Sequence, residues 1–228
     1  MSTIAFIFAR GGSKGLPRKN IMELDGKPLL RHSIDVAKEI DEIEDIYVST
    51  DDEEIASIAR SARVNVINRP SELAKDDSPE IYSWKHAIQS VNSRENICSK
   101  FVSIPTTAPL RKASDIKACM DLFDESTDVV ITATESARSP YFNMITIDDN
   151  DDAKLFTSES DTFSRRQDVP KTFDVTTVCY VSRPEFILSC TNIFEGKVKA
   201  VKIPKERSID IDDKLDFLVA EMVLKSGL

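Results

Sequence analysis

Histidine, tryptophan, cysteine and glycine are scarce: the 228 residues hold two, one, four and six of them. His32 and His86 fall inside helical patterns, distant in sequence from any serine or cysteine elbow. A nucleophilic triad and a histidine-rich metal site therefore have no support, and both residues read as helix-surface positions. Cys98, Cys119, Cys179 and Cys190 stand one to a segment with no CxxC spacing. That excludes a zinc site or a disulfide framework and suits a reducing cytoplasm. No apolar run approaches the roughly 20 residues that span a bilayer. The first residues lack a basic n-region, and their apolar run stops at Arg10, so they read as a strand and not as a signal peptide. Positive charge is also short, 30 Lys and Arg against 39 Asp and Glu, a net charge of −9. A general nucleic-acid binder is excluded on that balance.

What is present is an ordinary globular mixture, 41% hydrophobic and 30% charged, long enough for one large domain and a small excursion. Ile4 to Phe8 is a continuous apolar run, the mark of a strand buried on both faces. Leu30, Ile34 and Ala37 follow at helical spacing. The strand Ile46 to Thr50 runs into Asp51-Asp52, which can cap a helix on Ile55, Ile58, Ala59 and Ala62. Val64 to Ile67, a helix with Ile81, Trp84, Ile88 and Val91, Phe101 to Ile104, a helix from Ser114, and Val129 to Thr134 continue the alternation. Trp84 reads as core. Such alternation predicts an α/β fold on a largely parallel sheet. The rhythm breaks from Ser136 to Lys171, where Met144 to Ile147, an Asp-rich turn and Lys154-Leu155-Phe156 pattern as a β-hairpin. It resumes with Val178 to Val181, Val198 to Ile203 and a last helix on Leu215, Leu218, Val219, Met222 and Val223. The expected division is therefore residues 1–135 with 172–228 as the main domain, and 136–171 as an excursion. An isolated hairpin is marginal in water, so this one is expected to pack on a second subunit, hairpin against hairpin, giving a homodimer.

The basic residues that do occur cluster. Arg10, Lys14, Arg18 and Lys19 lie among Gly11, Gly12 and Gly15, directly after the first strand. Glycines there let backbone N–H groups approach phosphate oxygens, and four cations in ten residues suit a triphosphate about to lose pyrophosphate. The spacing is neither GxGxxG nor GxxxxGK[ST]; the alternative reading is a solvated basic loop. Asp210 and Asp212, i and i+2 on an extended segment, share a face and can serve Mg²⁺ as oxygen ligands. Otherwise they are a solvated acidic end that caps the last helix.

The run from Ala9 to Asn20 resembles the signature of the acylneuraminate cytidylyltransferases, which include CMP-sialic acid synthetases and their legionaminic and pseudaminic acid relatives. Further matching blocks are Val48-Ser49-Thr50-Asp51, Arg69 to Ala74, Ala108-Pro109-Leu110-Arg111, Arg165-Arg166-Gln167-Asp168 and Ser208 to Asp212, in order over nearly the whole chain. The resemblance implies a Rossmann-like three-layer α/β/α nucleotide-diphospho-sugar transferase fold, with the hairpin as its dimerisation subdomain. It implies CTP on Arg10, Gly11, Gly12, Ser13, Lys14, Lys19, Asn20, Arg69 and Ser78, and Mg²⁺ on Asp210 and Asp212. Arg10, Lys19 and Asp212 would carry the catalysis. Thr106, Thr107, Arg165, Arg166, Gln167 and Tyr180 would lie on the sugar-acid side, with Arg165 or Arg166 reaching the neighbouring subunit. The implied reaction transfers CMP from CTP to the anomeric hydroxyl of a nine-carbon sugar acid. Pro105, Phe142 and Asp174 depart from the sialic-acid pattern, and the Pro140 to Asn143 and Asp174 segments look more like the legionaminic-acid type. A CMP-Kdo-type or sugar-1-phosphate enzyme is the nearest alternative, and a non-catalytic nucleotide-binding regulator the alternative of another class.

Overall fold

The computed structural model describes residues 2–13, 15–92, 97–157, 163 and 165–227, without the Arg166 side chain. Lys14 and that side chain, both expected at the site, lie outside the described residues. In chain order the elements are β1 (Ser2–Phe8), β2 (Glu23–Leu24), β3 (Lys27–Pro28), α1 (Leu29–Lys38), β4 (Asp45–Thr50), α2 (Glu53–Ser61), β5 (Asn65–Asn68) and α3 (Glu80–Asn92). They continue as β6 (Cys98–Ser103), α4 (Ala113–Leu122), β7 (Val129–Glu135), β8 (Ile145–Ile147), β9 (Ala153–Leu155), β10 (Phe173–Ser182), α5 (Pro184–Ser189), β11 (Val198–Lys202) and α6 (Lys214–Ser226).

Among these residues seven strands form one sheet in the order β11-β7-β10-β6-β1-β4-β5. All neighbours pair parallel except β10, which runs antiparallel to both β6 and β7. The sheet is covered on both faces at its centre, so the central strand β1 carries the unbroken apolar run Ile4 to Phe8. Along β1, Ala5 and Ile7 face a core shared with Leu30 and Ile34 of α1, Ile55 and Ala59 of α2, and Ile116 and Cys119 of α4. Ile4 and Phe6 face the opposite core with Trp84 and Ile88 of α3 and Ile187 of α5. The largely parallel sheet expected from the alternation and the three layers implied by the resemblance are therefore present. Aromatic rings knit the second core: Phe6 and Phe101 stack at 5.0 Å, and Trp84 lies 5.3 Å from Phe101.

From β1 the chain runs outward through β4 to β5, then returns to place β6 on the other side of β1. That reversal opens a crevice beyond the carboxyl ends of the central strands, the usual ligand position in such sheets. The excursion holds β8 and β9 as a separate antiparallel pair, Ile145 opposite Leu155, and every residue of both strands is exposed.

Two expectations need correction. The last helix turns Ala220, Phe217 and Leu224 towards the protein, whereas Leu215, Leu218, Val219 and Met222 are 68%, 50%, 42% and 73% exposed. Both faces of α6 are apolar, so helical spacing could not say which one meets the core. The histidines are half-buried, each with one ring nitrogen turned inward from the helix surface. His32 Nε2 lies 2.9 Å from the Leu24 carbonyl, and His86 Nδ1 is buried without a hydrogen-bond partner. Burial chiefly lowers the His86 pKa, and the nearby Arg69 charge adds to the effect.

Candidate active site

β1 ends at Phe8, and the glycine loop that follows is tied to the end of β4. The Ala9 N–H donates to Ser49 O at 3.0 Å and the Gly11 N–H to Asp51 Oδ1 at 3.0 Å. At Gly15 a Cβ would stand 2.2 Å from the Asp212 carbonyl oxygen, so only glycine lets the loop lie on that backbone. At Gly12 a Cβ would meet nothing within 4 Å, because this residue borders an open cleft.

The four clustered cations separate. Arg18 adopts a left-handed φ of 59° and gives its guanidinium to Asp52 and Glu54. It braces the loop against α2 and does not line the cleft. Its hydrogen bond lowers the Asp52 pKa, with the α2 N–H groups that Asp52 caps adding to the effect. Arg10 lines the cleft, donating to Ala74 O at 3.2 Å and pairing with Asp76 at 2.8 Å. Lys19 crosses to the other wall, its Nζ 2.6 Å from Ile211 O and 3.0 Å from Asp212 Oδ1, with 11% of the side chain exposed. Asn20 is a strut between segments: its Nδ2 donates to Arg10 O at 2.9 Å, and its Oδ1 accepts from Thr106 Oγ1 at 2.5 Å.

The cleft has a volume of about 270 Å³ and also takes in Ser13, Thr107, Arg69, Ser78 and Glu80. Arg69 is buried, its Nη2 donating to Ser49 O at 2.7 Å and its guanidinium over the Phe8 ring at 5.6 Å. Burial brings its pKa down to about 10. Phe8 and Arg69 thus make a flat cationic wall at one end, while Gly12, Ser13, Lys19 and Asn20 make the other. Glu80, in the first turn of α3, was missed in the sequence. Its signal was Ser78-Pro79, a helix start that sets the next residue on the rim. It accepts from Trp84 Nε1 at 3.2 Å, and desolvation raises its pKa.

The carboxylate segment arrives from the far edge of the sheet and is clipped in place by the Ile211 N–H on Thr107 O, 2.8 Å. The α6 cap is Asp213, whose carboxylate accepts from the N–H groups of Leu215 and Asp216. Asp210 and Asp212 are therefore not needed for capping. Asp210 Oδ1 is buried with no hydrogen-bond partner, an orphaned acceptor that fits a cation. No group of three or more His, Cys, Asp or Glu that could hold a metal exists among the described residues. Two carboxylates completed by phosphate oxygens are the donor set Mg²⁺ takes, so the residues fit that ion. Behind the cleft, Arg111 is buried, donates to Ser33 Oγ, Pro105 O and Thr177 O, and has its pKa brought to about 10 by burial.

The residues expected on the sugar-acid side fall in three places. Thr106 and Thr107 line the cleft. Tyr180 packs on Trp84 at 5.3 Å, with its pKa raised by desolvation. Gln167 lines a different cavity, with Arg138 and Lys171 at the base of the excursion, and Arg165 pairs with Asp168 at 2.8 Å.

A doubly covered parallel sheet whose first loop presents glycines and cations beside a carboxylate pair defines an α/β nucleotidyltransferase. The comparisons agree: the chain matches the family model described as Cytidylyltransferase over residues 4–222, and it belongs to that family. It is 33% identical to "Post-translational flagellin modification protein B" of Campylobacter coli, over 96% of this chain and 93% of that one. It is 30% identical to "CMP-N,N'-diacetyllegionaminic acid synthase" of Campylobacter jejuni, with 96% and 93% covered. An "N-acylneuraminate cytidylyltransferase" of Streptococcus agalactiae is 31% identical over 96% of this chain and 52% of its own, so the chain spans about half the length of that relative. A solved CMP:2-keto-3-deoxy-manno-octonic acid synthetase complexed with CTP shares the fold, with a TM-score of 0.69 at 13% identity over 100% of both chains.

Proposed function

We propose that this chain transfers CMP from CTP to the anomeric hydroxyl of a nine-carbon sugar acid, N-acetylneuraminate or a legionaminate-like relative, and works as a Mg²⁺-dependent cytoplasmic homodimer. The observation that carries this is Lys19, which the glycine loop directs across the cleft onto the Asp212 segment. One cation there joins the glycine loop to the Asp212 carboxylate. Names of relatives that include N-acylneuraminate and legionaminic acid support the acceptor class.

The sugar oxygen forms a bond to the α-phosphorus as the bond from that phosphorus to the bridging oxygen breaks. Pyrophosphate leaves with the electron pair, and the hydroxyl proton passes to a base. Such displacement rests on positioning and charge. Gly11, Gly12 and Ser13 would cradle the phosphates, Arg10 and Lys19 would neutralise the leaving pyrophosphate, and Asn20 would hold the loop to Thr106. Arg69 over Phe8 would lie along the cytidine, with the backbone at Ser78 beside the base. Asp210 and Asp212 would hold Mg²⁺, which when bound supplies further charge neutralisation on phosphate oxygens. Thr106, Thr107 and Tyr180 would border the sugar acid, with Arg165, Arg166 and Gln167 supplied from the excursion.

The test is pyrophosphate release with CTP and a panel of nine-carbon sugar acids, one eight-carbon acid and a sugar 1-phosphate. Turnover with a nine-carbon acid alone is expected. Faster turnover with either of the others reassigns the acceptor, and none with any leaves a nucleotide-binding regulator.

A further inference from the structure

After β11 the chain leaves the sheet at Ile203, whose N–H donates to Ala133 O at 2.8 Å. It is next tied to the backbone of another segment at Ile211, whose N–H donates to Thr107 O. Between them Pro204 to Asp210 lie in no strand and hold one short helical turn, Lys205–Arg207. The backbone hydrogen bonds of this stretch among the described residues are local, Arg207 N–H to Pro204 O and Ser208 N–H to Lys205 O. An irregular stretch of this kind has many conformations open to it, and holding one of them requires an anchor from outside.

Arg207 is that anchor. Its Nε donates to Asp115 Oδ2 at 3.0 Å and its Nη2 to Asp115 Oδ1 at 2.9 Å, a two-point fork that fixes orientation as well as distance. Asp115 lies in the first turn of α4, only 4% exposed, and its Oδ2 also accepts the Lys112 N–H. Just before α4, Arg111 donates to Pro105 O and Thr177 O. The start of α4 therefore grips the Pro105–Thr107 wall of the cleft through one buried charge and the carboxylate segment through another. Asp210 Oδ1 is buried with no hydrogen-bond partner, so its direction is set by the backbone fastened on either side of it, at Arg207 and at Ile211. Burying an ion pair is a poor way to gain stability, because apolar residues of similar volume often do as well or better. A bidentate fork supplies what an apolar pair does not, a fixed angle.

We propose that Asp115 and Arg207 are positioning residues for the carboxylate pair. Their fork sets the register of Ser208 to Asp212, so that Asp210 and Asp212 present oxygens together to one divalent cation. Partners that orient ligands in this way change metal affinity by about 10- to 100-fold when removed. The inference deepens the proposed function and rests on its reading of Asp210 and Asp212 as ligands.

The experiment uses the whole chain with CTP and no sugar acid, and reads Mn²⁺ binding from the paramagnetic resonance of the free ion. It compares wild type with Arg207→Lys, with the double variant Asp115→Leu/Arg207→Met, and with Asp212→Ala. Removing one member of a buried pair strands the other and can prevent folding, whereas the double variant removes both charges and should keep the wild-type melting temperature. Its Mn²⁺ affinity is expected to fall at least tenfold, and that of Arg207→Lys, which keeps the charge without the fork, by a smaller factor. CTP without metal should still raise the melting temperature of both by the wild-type amount. Hydrogen exchange over residues 205–212 should quicken at least tenfold in the double variant. Wild-type Mn²⁺ affinity in a stable double variant would make the pair merely structural and overturn the proposal, as would unchanged exchange over that segment. Undiminished Mn²⁺ binding by Asp212→Ala, with faster exchange in the double variant, would keep the fork as the anchor of the segment and overturn the metal reading alone.

Discussion

Lys19 has two partners in the protein, the Ile211 carbonyl and the Asp212 carboxylate, and in the proposed reaction both stand where the triphosphate and its cation would meet. Removing the carboxylate should therefore separate binding from turnover. Asp212→Ala is expected to abolish pyrophosphate release while CTP still raises the melting temperature without metal, because Lys19 is freed and the loop is intact. More than about a tenth of wild-type rate at saturating Mg²⁺, a barrier change under 1.4 kcal/mol, would remove Asp212 from the metal site. The base end makes a second claim. CTP should be preferred over ATP and GTP, with UTP a poor second, since cytosine and uracil differ only in polar edges and a mismatched buried edge costs about 1–3 kcal/mol. Equal rates with ATP would leave a nucleotidyltransferase of no base preference. At this scale the type and spacing of Arg10 and Lys19 were enough to set them on a common cleft, and the resemblance added Asn20 to its wall. The sequence grouped Arg18 with the phosphate-facing cations, because an arginine in a glycine-rich loop looks the same whether it meets a phosphate or Asp52.

Among elements, the loop, α2 and the segment before α6 form one mechanical unit. Asp52 caps α2 and also receives Arg18, so Asp52→Ala should cost about 1 kcal/mol or somewhat more as a lost cap and raise the KM for CTP by loosening the loop. The folded pKa of Asp52 lies below its unfolded value near 3.8, so its stabilisation is full above about pH 4 and is lost as acid protonates it. Wild type and Asp52→Asn should thus converge in stability below that pH; a gap that persists in acid would deny the ionic part. Gly15→Ala and Gly12→Ala form a matched pair. The first drives a methyl into the Asp212 backbone and should lower kcat at least tenfold. The second points into open space, should leave the melting temperature unchanged, and should raise the KM for CTP. Equal effects of the two would contradict the packing of the loop on that segment. Alternation of strand and helix patterns made most elements legible in advance, and the apolar run of β1 marked the strand buried on both faces. It did not reveal that β10 runs antiparallel, because side-chain pattern carries no strand direction, nor which apolar face of α6 is buried.

For the molecule as a whole, the proposed homodimer, with its arginine segment reaching the neighbouring cleft, makes a genetic-style test possible. Lys19→Ala and Arg165→Ala, each inactive alone, should partly recover activity when mixed and allowed to exchange, because one mixed site keeps both intact residues. An active dimer with no recovery would keep the assembly and place the whole site within one subunit. No helix among the described residues is long and apolar enough to cross a membrane.

The clip from Ile211 to Thr107 and the ion pair from Lys19 to Asp212, 193 positions apart in the chain, have a consequence in time. A ribosome releases the glycine loop well before the carboxylate segment, so a growing chain carries the loop long before the groups it meets across the cleft. The cleft closes only when the outermost strand, β11, is laid down and the chain doubles back. Contacts of such separation form late and slow the search for the native state. A nascent chain stalled short of Asp210 should bind nucleotide weakly and turn none over, which ties the first appearance of activity to completion of the sheet.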